Sequence, residues 1–166
     1  MNADKLRKFV EENVIESVKW AIDKFDSKTG KKIGHEEFLG NCLANEGIEE
    51  WFKLISTTGA VQYDNTNAYL IVGTGSGAAT ASDNQATFTA GVTKTMEATY
   101  PQVAAAGSHK CTWKSSYGSA EANQVWGEFG LLNHATTGKL ANRKVSAQGT
   151  KTSGQTWELS LEITLT

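Results

Sequence analysis

The sequence contains very little proline and cysteine and has no long apolar run. One proline among 166 residues, against 16 glycines, is typical of short strands joined by glycine turns and not of a proline-rich linker. No segment approaches the roughly 18 apolar residues that suggest a membrane-spanning helix, and the charged start of the chain lacks the apolar core of a signal peptide. A net charge of −2 argues against the clustered basic surface of a nucleic-acid-binding protein. We therefore expect neither a membrane nor a nucleic acid among the partners.

The two cysteines, Cys42 and Cys111, lie in segments of different character. A disulfide needs Cα atoms within about 7 Å of each other, and sequence spacing does not determine that distance. We expect two thiols in a protein assembled in a reducing cytoplasm, with a disulfide as the alternative.

The first part of the chain, up to about Gly59, has the apolar spacing of helices. We predict one helix that ends near Asp26 and a second over residues 35–55, with a break at Gly47. The domain prediction for residues 1–58 is accordingly an N-terminal helical arm whose apolar stripe needs a partner. The stripe of the first helix consists of Leu6, Val10, Val14, Val18, Ile22 and Phe25.

After Gly59 the alternation of strands replaces the helical spacing, most clearly over the last ten residues. There one side is apolar and the other is polar, which indicates a strand with one buried face. Six or seven such strands, separated by glycine turns, predict an α+β fold that is mainly an antiparallel β-sandwich, a jelly roll being one form of it, over residues 59–166. The apolar side of the last strand consists of Trp157, Leu159, Leu161, Ile163 and Leu165.

Two short segments superficially resemble ligand-binding loops. Residues 73–77 (GTGSG) follow an apolar strand as a dinucleotide-binding loop would, but the third glycine comes one place too early and no periodic helix follows. Residues 26–30 (DSKTG) resemble a calcium loop, but Lys28 stands where an oxygen ligand is needed. Both segments are therefore predicted to be turns.

No arrangement of titratable residues predicts a reaction. The three histidines lie in separate segments without metal-ligand spacing, and no serine or cysteine has the sequence context of a nucleophile. Glu121 and Glu128 flank Trp126 and could bracket a sugar, but bonding to backbone amides is the simpler interpretation. We predict no catalytic, cofactor-binding or metal-binding residue. The histidines are His35, His109 and His134.

The five tryptophans allow two interpretations. Exposed rings could stack on sugars, whereas rings on the apolar faces of helices and strands would pack in a core or an interface. Their positions favour packing. They are Trp20, Trp51, Trp113, Trp126 and Trp157.

Four segments of the chain are informative when taken in order. They are residues 41–55 (NCLANEGIEEWFKLI), 69–77 (YLIVGTGSG), 117–133 (YGSAEANQVWGEFGLLN) and 140–157 (LANRKVSAQGTKTSGQTW). Together they resemble a widespread group of tailed-bacteriophage virion proteins. The resemblance covers about residues 41–166 and implies a non-enzymatic structural role, in capsid decoration or in a tail or fibre. Within it, residues 142–144 (NRK) are predicted to form a charge pair between strands with Glu128, either exposed or dry between subunits.

The resemblance leads to a specific expectation. We expect a capsid decoration (cement) protein on the virion surface, assembled in the host cytoplasm, that bridges neighbouring major capsid subunits. A homo-oligomer is expected, with a trimer first because local three-fold positions of a capsid offer matching sites. The alternatives are a tail, neck or fibre component that contacts host glycans, and a carbohydrate-binding or hydrolytic domain unrelated to virions.

Overall fold

The computed structural model describes residues 5, 8, 9, 11, 12, 14–56 and 59–166. Helix α1 (Asn45–Ser56) lies between β3 and β4, and a short 3-10 helix (Gln85–Thr87) lies between β4 and β5. The strands of the described residues are β1 (Ile15–Asp26), β2 (Lys32–Leu39), β3 (Cys42–Leu43), β4 (Tyr69–Gly73), β5 (Val92–Thr95), β6 (Gln102–Val103), β7 (Lys110–Tyr117), β8 (Glu128–Leu132), β9 (Leu140–Val145) and β10 (Gln155–Leu165).

The strands form two five-stranded sheets in which every pairing is antiparallel. Sheet A has the order β2-β1-β10-β7-β6, and sheet B has the order β3-β9-β8-β4-β5. The prediction of a mainly antiparallel β fold is therefore confirmed. None of the helices in the described ranges has the length and apolar character needed to cross a membrane.

The predicted N-terminal helix is wrong for residues 15–26, which form β1. Within β1 the buried side chains are Val18, Trp20 and Ile22, a period of two. A spacing of four, as from Val18 to Ile22, keeps residues on one face of a helix and also on one face of a strand, so the apolar stripe could not separate the two structures. The buried Trp20 between them is the residue that decides for a strand. Leu6 and Val10 of the predicted stripe lie outside the described residues.

The second predicted helix is confirmed only in its later part. Residues 32–39, most of which are exposed, form β2 at the edge of sheet A, whereas the helix covers Asn45–Ser56. Gly47 does not break this helix. A Cβ at Gly47 would lie 2.5 Å from the Cα of Ala141, so glycine is needed because the first turn of α1 packs directly on the backbone of β9.

The alternating last segment is confirmed as β10, which lies at the centre of sheet A between β1 and β7. Seven strands, β4 to β10, follow residue 59, in agreement with the six or seven predicted. However, β1 and β2 belong to the same sheet as β7 and β10, so strands from both sides of the predicted 58/59 boundary share one sheet. The prediction of a helical arm over residues 1–58 is therefore wrong for the residues of β1, β2 and β3, which form strands.

Side chains from both sheets meet in one large apolar cluster. Trp20 and Trp157 from sheet A pack with Trp126 and with Phe129 from sheet B, and the ring centroids of Trp126 and Trp157 are 4.9 Å apart. A smaller cluster lies on the opposite face of sheet B, where Phe88 from the loop between β4 and β5 covers Ile71 and Leu140. Sheet B is thus covered on both faces.

Candidate functional site

The strongest electrostatic feature is a buried ion network on the outer face of sheet B. Arg143 of β9 donates from Nη2 to Oε2 of Glu128 at 2.5 Å, from Nε to the same oxygen at 3.0 Å, and from Nη1 to Oδ2 of Asp83 at 2.8 Å. The Arg143 side chain is 4% exposed and that of Glu128 is 0% exposed. The predicted charge pair between Glu128 and residues 142–144 is confirmed with Arg143 as the partner, but the pair is buried within the chain and not exposed.

The loop of residues 74–91, here called the covering loop, closes over this network. Oε1 of Glu128 accepts hydrogen bonds from the amides of Gly75 and Thr89, at 2.8 and 2.7 Å. The guanidinium Cζ of Arg143 lies 5.6 Å from the ring centroid of Phe88. Burial alone raises the pKa of Asp83, but hydrogen bonds from Thr80 and Arg143 outweigh it and hold the pKa below its usual value.

Two of the three glycines of the GTGSG segment, Gly73 and Gly75, are explained by the Glu128 carboxylate. A Cβ at Gly73 would lie 2.6 Å from Oε1 of Glu128, and a Cβ at Gly75 would overlap the same carboxylate. The amide of Gly75 is already bonded to this carboxylate, so it is not available to a phosphate. Residues 74–77 form a loop with no helix directly after them, as the turn prediction requires.

A second buried network joins the AEAN and GTKT segments. Lys151 is 1% exposed, and its Nζ donates to the carbonyls of Gly118 and Glu121 and to Oδ1 of Asn123, at 2.7, 2.9 and 2.9 Å. Three acceptors satisfy the three donors of an ammonium group. Burial lowers the pKa of Lys151. The lysine thus binds together a turn and a segment that are remote in sequence.

The two carboxylates weighed as a glycosidase pair have separate partners. Glu121 accepts a hydrogen bond from Nζ of Lys94 at 2.5 Å and one from the amide of Gly118 at 2.8 Å, and the bond from Lys94 is the main reason that its pKa is lowered. Both oxygens of Glu128 are occupied in the Arg143 network. Each carboxylate therefore does what the simpler interpretation predicts, bonding backbone amides as well as a cation.

Acidic residues of helix α1 bind backbone amides outside the helix. Oε1 of Glu46 accepts a hydrogen bond from the amide of Leu140 at 2.7 Å, and Glu50, which is 5% exposed, accepts one from the amide of Val61 at 2.8 Å. The Glu46 bond and the close approach of Gly47 to Ala141 hold the start of the helix against β9. The Glu50 bond holds the segment that follows the helix.

The histidines do not come together in space. His35 lies on the exposed side of β2 with Nδ1 2.5 Å from Oδ1 of Asp23, and His134 accepts hydrogen bonds within its own turn from Thr136 and Thr137. His109 has a positive φ of 48° in the approach to β7. Among the described residues, no three His, Cys, Asp or Glu side chains are grouped so that they could hold a metal ion.

The two cysteines carry thiols and form no disulfide. Cys42 belongs to sheet B and Cys111 to sheet A. Burial raises the pKa of Cys111 to about 11, so its thiol stays protonated and poorly nucleophilic at neutral pH. The expectation of two thiols is confirmed.

The turn predicted for residues 26–30 is confirmed, although it joins two strands and does not end a helix. Oδ1 of Asp26 accepts hydrogen bonds from the amides of Lys28 and Thr29, and Gly30 has a φ of 67°. Both hydrogen bonds end on the same oxygen of Asp26, and both donors are backbone amides of the turn itself.

Four of the five tryptophans are buried, which confirms the packing interpretation for them. Trp51 is partly exposed on α1, beside a group of exposed apolar side chains at one end of the molecule. We call this group the apolar end surface. It consists of Trp51, Phe52 and Ile55 of α1, Val103 of β6 and Leu165 of β10.

The outer face of sheet A is polar and carries partly exposed ion pairs. Glu162 of β10 lies between Lys19 of β1 and Lys110 of β7, at 3.8 and 3.1 Å, and Glu158 pairs with Lys114 at 2.6 Å. Glu158 and Glu162 belong to the polar side predicted for the last strand, and they lie outward from the core as the alternation requires.

Comparison of the chain with models of known protein families, with curated proteins and with solved structures finds no match.

Sequence reasoning missed two parts of these sites. Asp83 and Lys94 come from segments far from their partners, and neither lies in a recognisable motif. The apolar end surface was also missed, although Phe52 and Ile55 lie within the second predicted helix. The available signal was the width of the apolar face of the second predicted helix, which exceeds the width that packing on one sheet requires.

Proposed function

We propose that the chain is a structural virion protein of a tailed bacteriophage. Its role is that of a capsid decoration (cement) protein that bridges neighbouring major capsid subunits and stabilises the shell. It acts as a homo-oligomer, a trimer being the expected form. In finer terms, we propose that its two sheets form a β-sandwich of jelly-roll type.

One observation carries this proposal. Three charged residues in the segments that resemble virion proteins have their polar groups occupied inside the fold, namely Glu128, Arg143 and Lys151. A carboxylate or lysine with satisfied, buried partners positions backbone and excludes water, and it offers no open group to a substrate. This use of charged residues supports a scaffold whose function lies in its outer surfaces.

Two outer surfaces support an assembly role. The outer face of sheet A presents alternating lysines and glutamates that can exchange their partners for charges on a capsid subunit, which favours orientation and specificity over raw affinity. The apolar end surface offers contact area of the kind that interfaces bury. Assembly in the host cytoplasm is consistent with the two thiols.

The deciding experiment is the position and copy number of the protein in purified particles of the phage that encodes it. Antibody labelling should cover the heads, and quantitative mass spectrometry should find hundreds of copies per particle. Label confined to tails would overturn the cement role in favour of a tail, neck or fibre component. Absence from particles would overturn the virion assignment as a whole.

Deletion of residues 1–25 is no longer a useful test of a docking arm. It would remove nearly all of β1, which pairs with β10 along its length and buries Trp20 and Ile22. Such a variant would lose the centre of sheet A. Point substitutions on exposed surfaces are the appropriate probes.

A further inference from the structure

The apolar end surface is formed where three elements finish. Ile55 of α1 is 82% exposed, Val103 of β6 is 81% exposed, and Phe52 and Leu165 are 44% and 40% exposed. Two cavities open on this end and share Trp51 and Leu165 in their walls. The larger has a volume of about 560 Å³ and the smaller about 380 Å³.

Helix α1 itself explains why these side chains remain outside the core. Ile48, in the first half of the helix, is 8% exposed, whereas Ile55, two turns later, is 82% exposed. The bond that Glu46 accepts from Leu140 holds the start of the helix on sheet B, whereas the apolar side chains of its last two turns, Phe52 and Ile55, remain uncovered. Burial of a large aliphatic or aromatic side chain contributes about 1.5–3 kcal/mol, so a partner at this end would gain several such increments.

The charge of the surface indicates which partner fits. The described residues that line the smaller cavity are all apolar, and those of the larger cavity include just two titratable side chains besides Cys111, namely His109 and Lys110. Nζ of Lys110 lies 3.1 Å from Glu162 on the outer face of sheet A, so that charge is already compensated. An acidic or basic partner would find no complementary charge here, whereas a second copy of the same surface would meet no like charge.

The size of the surface is consistent with contact between copies. Four large side chains that are two fifths to four fifths exposed make a patch on the order of 300–600 Å². In a symmetric contact each copy contributes this patch, so the area counts twice. The polar rim then needs to add the remainder of the roughly 1,200–2,000 Å² that a stable pair buries. Interfaces between identical chains are also the most apolar class, which agrees with this composition.

We infer that the apolar end surface joins this chain to a second copy of itself in a closed, symmetric oligomer. The inference deepens the proposed function, which includes a homo-oligomer, and rests on it in that respect. It assigns self-association to the end formed by α1, β6 and β10, and leaves the charged face of sheet A to other partners. Ile55 is the side chain of choice for a test because it is the most exposed of the apolar side chains on α1.

The test compares Ile55→Lys with Ile33→Lys by size-exclusion chromatography with light scattering over a range of concentrations. Ile33 is also exposed, at 52%, but lies on the edge strand β2. The wild type and Ile33→Lys should have a mass that is a multiple of 17.9 kDa, and Ile55→Lys should shift towards the monomer. We expect its dissociation constant to rise by roughly tenfold to a hundredfold or more, the effect of losing a central contact. Because Ile55 is exposed, circular dichroism should show both variants folded.

Two results would overturn the inference: a monomeric wild type, or an Ile55→Lys variant as oligomeric as the wild type. A second variant, Phe52→Asp, should behave as Ile55→Lys does, and an unchanged mass there would count equally against this surface. The outcome is separable from that of the proposed function. A monomer that still labels phage heads overturns the interface and the homo-oligomer but leaves the virion role standing, whereas an oligomer absent from particles overturns the virion role and leaves the interface standing.

Discussion

The outer faces of the two sheets use the same ionic groups in opposite ways. On sheet A, Glu162 lies between Lys19 and Lys110, and these side chains are 22–37% exposed. On sheet B, the covering loop lies over Glu128 and Arg143, whose side chains are at most 4% exposed. Burial removes the water that would otherwise solvate a charge whose partner is lost. The ion network of sheet B therefore determines the internal structure, and the pairs of sheet A remain available for outside contacts.

The difference also indicates where substitutions are tolerated. An exposed lysine–glutamate pair contributes little to the free energy of unfolding, because water competes for both groups. A buried carboxylate that accepts four hydrogen bonds cannot lose its cation without an unpaired charge remaining in the interior. Charge changes that would adapt the protein to a particular partner are therefore cheap on sheet A and expensive on sheet B.

The largest effect is expected from Arg143→Met. This substitution leaves the carboxylates of Glu128 and Asp83 without their guanidinium while both remain under the covering loop. Breaking a buried pair in this way should lower the free energy of unfolding by about 3–5 kcal/mol. Urea denaturation followed by tryptophan fluorescence measures the change. The matched control is Lys114→Met, the same loss of a cation on the outer face of sheet A. A similar loss in both variants would refute the distinction between the faces.

Lys151→Met should have an intermediate effect. The substitution keeps the apolar part of the side chain but removes the donors to Gly118, Glu121 and Asn123. Because buried acceptors would be left without donors, the free energy of unfolding should fall by roughly 1–3 kcal/mol. The turn of residues 118–123 should also exchange its amide hydrogens faster, as hydrogen exchange with mass spectrometry would show. Lys28→Met, in the exposed β1–β2 turn, is the control. Unaltered exchange in Lys151→Met would exclude a turn-holding role for the lysine.

Sequence patterns predicted the last strand of the fold because it alternates strictly. Trp157, Leu159 and Leu161 are buried in β10, as the period of two requires. The first half failed because the i, i+4 spacing from Val18 to Ile22 lies on one face of either structure. Local periodicity therefore identified strands only where no helical spacing competed with it.

The site was less accessible to prediction than the fold. The predicted pairing of Glu128 with residues 142–144 is confirmed, but the choice of Arg143 and the burial of the pair depend on the covering loop. That loop contributes Asp83 and Phe88 from about 40–60 residues away in sequence. Burial of a charged pair is thus a property of the tertiary arrangement, and a pattern of residue types along one strand does not contain it.

The smallest effect is expected on sheet A, and it should depend on salt. Nζ of Lys114 lies 2.6 Å from Oε2 of Glu158, and both side chains are about a quarter exposed. Burial lowers the pKa of Lys114, but the hydrogen bond to Glu158 outweighs it and raises the pKa above the usual value.

The substitution Lys114→Met should lower the free energy of unfolding by roughly 0.2–1 kcal/mol at low salt. Raising the ionic strength from about 0.1 to 1 M shortens the Debye length from about 10 to 3 Å and should reduce this difference, since the pair is open to water. The difference for Arg143→Met should stay constant under the same change, because ions cannot screen a pair that the covering loop encloses. Equal salt dependence in the two variants would mean that the loop opens often enough to admit solvent, and the network of sheet B would then belong with the exposed pairs of sheet A.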